Sequence, residues 1–201
     1  MDKKLLEKLY LQDKKSVHDI ANLFHCSDGK INYWLGKYSI KKRSISDAIY
    51  TKHNPKGDPF SFTKPYINKQ SFLFGLGLGL YWGEGTKKNL HSVRLGNTDP
   101  YLIRSFVLFL RTIYGIEDNR LHFSLQIFRD MDQAKEERFW QTFLKIPPHK
   151  FFKTTNTRSG SVGTYREKTK HGVLTVYFNN NKLRDLLVNE IEKMKEFDYT
   201  A

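Results

Sequence analysis

Apolar residues recur along the chain at two spacings. To about Tyr50 they fall three and four apart, which predicts short amphipathic helices. Residues 51–70 (TKHNPKGDPFSFTKPYINKQ) break that rhythm with three prolines, a glycine and few aliphatics, and predict a linker or extended arm. From Ser71 onward helices and strands mix. Residues 72–84 read as an apolar helix, 92–97 (SVRLGN) as an alternating strand, and 99–114 as a helix with Asp99 as N-cap and Pro100 at its first position. Residues 121–128 (LHFSLQIF) alternate as a strand, 133–144 read as a helix, 173–178 (VLTVYF) as a strand and 182–195 as a closing amphipathic helix. The expected class is α+β: an all-α domain over 1–50, a linker over 51–70 and a mixed domain over 71–201.

Within the first part, 16–38 (SVHDIANLFHCSDGKINYWLGKY) has the spacing of a helix-turn-helix. Ile20, Phe24, Cys26, Ile31 and Trp34 fall where two helices share a small core, and Ala21 is small where they cross. His25 occupies the turn position that often needs a left-handed backbone. Ser27 is placed to cap the second helix, which starts at Asp28. Its open face would carry Ser27, Asp28, Gly29, Asn32 and Tyr33, with Lys37 near the end. Such a face enters the major groove N-terminus first. Asn32 can pair with adenine, while Lys30, Lys37 and the following Lys41, Lys42 and Arg43 can reach phosphates.

Charge strengthens this picture. Among 201 residues, Lys and Arg number 34 against 21 Asp and Glu, a formal net charge of +13. The isoelectric point is near 9.7, so a polyanionic partner is expected. The segment 145–171 holds Lys145, Lys150, Lys153, Arg158, Arg166, Lys168 and Lys170 against one acid, Glu167. It is rich in Ser, Thr, Asn and Gly, and reads as a loop or hairpin that lies along phosphates. One cysteine, Cys26, excludes an internal disulfide framework and fits a reducing compartment. The histidines show no metal-ligand spacing. The charged N-terminus does not read as a leader, and the apolar run 72–83 is too short to cross a bilayer. The expected location is cytoplasmic, associated with the nucleoid, with no membrane partner.

The most informative stretch is 72–87, FLFGLGLGLYWGEGTK. Gly75, Gly79 and Gly83 recur at spacing four inside an apolar helix, with Gly77 as well. Each glycine destabilises a helix by roughly 1 kcal/mol relative to alanine. The pattern is explained where two backbones must approach along one helix face. The run stops at Gly83-Glu84-Gly85, leaving one carboxylate beside free carbonyls, a favourable place for a hard divalent cation.

Residues 77–85 resemble the motif of the LAGLIDADG homing endonucleases. Gly79, Leu80, Gly83 and Gly85 match its third, fourth, seventh and last positions, and Glu84 falls on its metal-binding acid. Trp82 stands where the motif has its sixth-position acid. The resemblance implies an αββαββα domain across roughly 71–195, with 130–145 as an extra helix. It implies a homodimer in which two motif helices pack through Gly75, Gly79 and Gly83. Paired Glu84 carboxylates would then hold Mg²⁺ for hydrolysis of a near-palindromic duplex DNA. Lys87, Lys88 and Lys170 are candidates by position for a basic catalytic residue. The alternative is a DNA-binding transcription regulator of WhiA type, in which the same domain does not cut. A third, weaker reading is an RNA-binding splicing maturase.

Overall fold

A computed structural model describes residues 1–158 and 169–196, which divide into two compact units, 1–59 and 60–201. The first unit is helical. Helix α1 (Lys3–Glu7) runs into a π-helical turn over 8–12, followed by α2 (Val17–Leu23), α3 (Asp28–Lys37) and α4 (Ile45–His53). Three serines define the helix starts. Ser16 caps α2 in a reciprocal box with Asp19, Ser27 accepts from Lys30 N at α3, and Ser44 accepts from Asp47 N at α4. The Ser16 hydroxyl and backbone N–H bonds to the Asp19 carboxylate hold its pKa below the ordinary value.

His25 takes the left-handed turn between α2 and α3 (φ 48°), as its position predicts. Leu6, Leu9, Tyr10, Ile20, Ala21, Ile31, Leu35 and Ile40 form the buried core. Phe24, Cys26 and Trp34 pack against this core and are half-buried. Helix α4 buries none of its residues.

The second unit is mixed α+β. In chain order it contains α5 (Asn68–Glu84), β1 (Val93–Asn97), α6 (Pro100–Tyr114), β2 (Leu121–Phe128), α7 (Gln133–Leu144), β3 (Thr155–Thr157), β4 (Val173–Phe178) and α8 (Asn181–Lys195). The sheet order is β1-β4-β2-β3. Strand β4 is antiparallel to both β1 and β2, with Val176 opposite Leu95 on one side and Phe123 on the other. Strand β3 runs parallel to β2 at one edge. Beyond β1, a single antiparallel bridge joins Gly85 to Leu95, and Thr86 N donates to Arg94 O at 2.9 Å.

One sheet face presents Val93, Leu95, Leu121, Phe123, Leu125, Ile127, Leu174, Val176 and Phe178 to the core. Helices α5, α6 and α8 pack against β1, and Trp140 of α7 donates its indole N–H to His171 O at 2.7 Å. Helix α6 follows its sequence signals closely. The Asp99 carboxylate accepts from Tyr101 N and Leu102 N, Pro100 opens the helix, and Gly115 ends it in a left-handed conformation (φ 58°).

The predicted linker is partly ordered. Helix α4 extends to His53, and α5 begins at Asn68, four residues before the apolar run. Between them, Ser61 N and Thr63 N donate to Tyr114 O and Ile113 O, the terminal carbonyls of α6. The Phe62 ring lies on Phe74 and Tyr114. This stretch thus supplies part of the α6 cap that the helix cannot supply for itself.

Candidate nucleic-acid interface and the end of helix α5

Helix α3 places Ser27, Asp28, Lys30, Tyr33 and Lys37 on the outside, with Asn32 half-buried among them. Tyr33 is 61% exposed and meets Trp34 edge-on at 5.4 Å. Trp34 stacks on Tyr38, and Lys37 Nζ lies 4.8 Å from the Trp34 ring centre. This aromatic stack stiffens the second half of the helix. At its first turn, His18 Nδ1 approaches Asp28 Oδ1 at 3.3 Å and ties α2 to α3.

Of the basic run after α3, Lys41 and Lys42 are exposed, but Arg43 is built into the fold. Its guanidinium donates to Lys14 O at 3.0 Å and to Lys15 O, and lies 4.3 Å from the Tyr10 ring centre. Its backbone N–H donates to Tyr10 Oη at 3.0 Å. Those bonds occupy the side chain that the sequence offered to phosphate.

In the second unit, Lys153, Arg158 and Lys170 are exposed, whereas Lys150 donates to Asn119 O at 2.7 Å. Arg166 and Lys168 lie outside the described residues. A group that the sequence does not announce occupies the sheet face turned away from the core. The Arg94 guanidinium lies 5.1 Å from the Tyr177 ring, Phe152 meets Tyr177 edge-on, and His122 stacks on Phe152 at 5.4 Å. Ser124, Gln126 and Thr175 share this face. Alternation within each strand marks the strand residues of this group as outward-facing, and Phe152 joins them from the loop before β3. Only the register between strands brings them together.

Helix α5 has two unlike faces. A Cβ added at Gly77 would come within 3.0 Å of three atoms of the buried Phe109 ring, so Gly77 serves the packing of α5 on α6. A Cβ added at Gly75, Gly79 or Gly83 meets no atom of the described residues within 4 Å. These three glycines line an open face with Phe72 and Trp82, which are 71% and 41% exposed. Gly85 stops the helix close against Tyr81, where any side chain would strike the ring and carbonyl of that residue. The Tyr81 hydroxyl is buried without a hydrogen-bond partner among the described residues. Burial raises its pKa, while the Arg184 charge opposes that shift.

Glu84 ends α5 exposed, with no hydrogen bond or ion pair among the described residues. Beside it, Lys87 Nζ donates to Trp82 O at 2.6 Å and reaches Tyr81 O at 3.5 Å, satisfying carbonyls of the last turn. No group of three or more His, Cys, Asp or Glu side chains gathers for a metal among the described residues. A single carboxylate is too small a donor set for a divalent cation, so Glu84 would need further oxygen ligands to hold one. No helix among the described residues is long and apolar enough to cross a membrane.

No protein-family description, curated protein or solved structure matches this chain.

Proposed function

We propose that the chain is a sequence-specific duplex-DNA-binding protein of LAGLIDADG type, working as a homodimer joined along α5 and cutting DNA with Mg²⁺. The observation that carries the proposal is the division of glycines on α5. Gly77 is explained by Phe109, but Gly75, Gly79 and Gly83 face open space among the described residues, on a helix that ends in an exposed carboxylate. Helices with such faces associate closely, and two-fold pairing of α5 would bring two Glu84 side chains together. The order of elements supports the same reading. Helices α5, α6 and α8 alternate with β1 and with the β2–β4 pair, and a one-residue bridge at Gly85 precedes β1; α7 and β3 are additional elements.

In this pair, Glu84 and its counterpart would hold the ion, which when bound activates water and stabilises the leaving oxygen. The polar outer face of the sheet, with Arg94, Gln126 and Thr175, would lie along the duplex, and the exposed lysines would contact phosphates. Helix α3 would read a flanking sequence through Asn32 and Tyr33.

The second reading is a DNA-binding regulator that does not cut. It is favoured by Trp82, an indole where the motif carries its other acid. The test is Glu84→Gln, which keeps size but removes the charge. In the nuclease, Mg²⁺-dependent nicking of a selected DNA disappears while affinity in Ca²⁺ is retained. Wild-type protein that leaves its bound DNA intact in both Mg²⁺ and Mn²⁺ selects the regulator instead. A protein that binds no duplex selectively refutes both.

A further inference from the structure

Lys87 is placed unlike the other lysines near the motif. Its backbone carbonyl accepts from Arg184 Nη2, and Arg184 Nε donates to Asn89 O at 3.1 Å. Arg184 is itself well covered and paired with Asp185 at 2.9 Å. Asn89 Oδ1 in turn accepts from His91 N, Ser92 N and Ser92 Oγ at 2.9–3.1 Å. The loop after α5 is therefore fixed from α8 and from within. It projects the Lys87 ammonium back onto the carbonyls of Tyr81 and Trp82. Lys88, the next residue, is exposed and makes no such bond among the described residues.

The electrostatic consequence is large where two such ends meet. A helix C-terminus carries about −0.5 of an elementary charge, and Glu84 adds −1. Without a compensating cation each end would stand near −1.5. With Lys87 it stands near −0.5, and the repulsion between two ends, which scales as the product, falls about ninefold. We propose that Lys87 is a positioning residue for assembly: its ammonium, fixed by the Arg184-braced loop, neutralises the end of α5 so that two Glu84-bearing ends can meet without a divalent ion. The inference rests on the two-chain reading of α5. It separates assembly from chemistry: a metal bound at Glu84 would serve cutting and not pairing.

The experiment measures self-association of the full chain by sedimentation, in EDTA and again in Mg²⁺ or Ca²⁺. Wild-type protein is expected to dimerise equally in all three. Lys87→Gln keeps a side-chain N–H donor, one atom shorter, but loses the charge. It should weaken the dimer by roughly five- to thirtyfold in EDTA, and divalent ions should restore much of the loss. Lys87→Arg should restore association in EDTA. Lys88→Gln removes the same charge from the chain and should change association by about twofold or less. A helix cap acting only through its hydrogen bond would give no divalent-ion rescue.

Equal effects of Lys87→Gln and Lys88→Gln would overturn the inference, as would wild-type association that is abolished in EDTA. A wild type that stays monomeric at every concentration and on DNA would refute the two-chain reading itself, and the role of Lys87 with it. Should Lys87→Gln fail to fold by circular dichroism, the decision passes to wild-type protein in EDTA and to Lys87→Arg. Loss of pairing in either refutes the proposal.

Discussion

The glycines of α5 offer a test in which one substitution at two neighbouring positions has unequal effects. At Gly77 a methyl group would come within 3.0 Å of three ring atoms of Phe109. That ring is fully buried, with Phe106 at 5.8 Å, Tyr114 at 5.3 Å and Phe74 at 6.4 Å between centroids, so it has no free direction in which to turn. Overpacking of this kind costs about 1–3 kcal/mol. The gain from replacing a helical glycine offsets up to about 1 kcal/mol of it. Gly77→Ala should therefore lie between neutral and about 3 kcal/mol less stable. At Gly79 the methyl group meets nothing, so Gly79→Ala should stabilise the isolated chain by up to about 1 kcal/mol. Urea unfolding at a concentration too low for association measures both, as a change of midpoint at constant slope. Gly79→Leu then tests the open face: the fold should survive while association disappears. If Gly77→Ala were more stable than Gly79→Ala, the assignment of faces on α5 would be wrong. If Gly79→Leu paired as the wild type does, the joint would lie elsewhere.

Three further outcomes are expected. Alanine at Asn32 and Tyr33 should relax sequence preference by about 1–3 kcal/mol for each side chain that reads a base edge, measured by competition binding. Arg43→Gln should lower the thermal midpoint of the first unit, because it breaks two carbonyl bonds and the Tyr10 stack, whereas Lys41→Gln and Lys42→Gln should leave the midpoint unchanged and flatten the salt dependence of DNA binding. Burial raises the Tyr114 pKa far above the usual value of 10.0, so the protonated phenol favours the fold. Its contribution is complete below pH 10 and falls away as pH rises beyond that; the Tyr114 hydroxyl has no hydrogen-bond partner among the described residues, so Tyr114→Phe should extend stability to higher pH in alkaline unfolding.

Elements whose signals are local were legible in the sequence. Helix α6 has its Asp99-Pro100 start and its Gly115 stop within one stretch, and β2 alternates over its whole length. The left-handed His25 and the Ser27 cap were legible for the same reason. The start of α5 was not, since its first turn, Asn68 to Ser71, is polar and has no side-chain cap to announce it. Glu84 could be placed at a helix end because Gly85 follows it, but Lys87 could not be placed on the carbonyls behind it. That depends on Arg184, 97 positions away from the carbonyl it grips. The outer-face group of Arg94, His122, Phe152 and Tyr177 likewise needs the pairing of β1 with β4 and of β4 with β2, which no single stretch encodes.

The same distinction limits what net charge can say about binding. Fixed cations and free ones look alike in a sequence. Arg43, Lys87, Lys150 and Arg184 donate to backbone carbonyls, and Arg111 is bonded to Asp118. To neutralise a phosphate, each would have to exchange a geometry that the fold already fixes. Lys30, Lys41, Lys42, Lys153 and Lys170 are exposed and carry no such bond among the described residues. Counterion release scales with the phosphates neutralised, at about 0.9 of logarithmic slope for each. The salt dependence of DNA binding should therefore follow the free cations and fall well below the formal +13. Removing a free lysine should reduce that slope by about one, whereas removing a fixed arginine should first reduce stability.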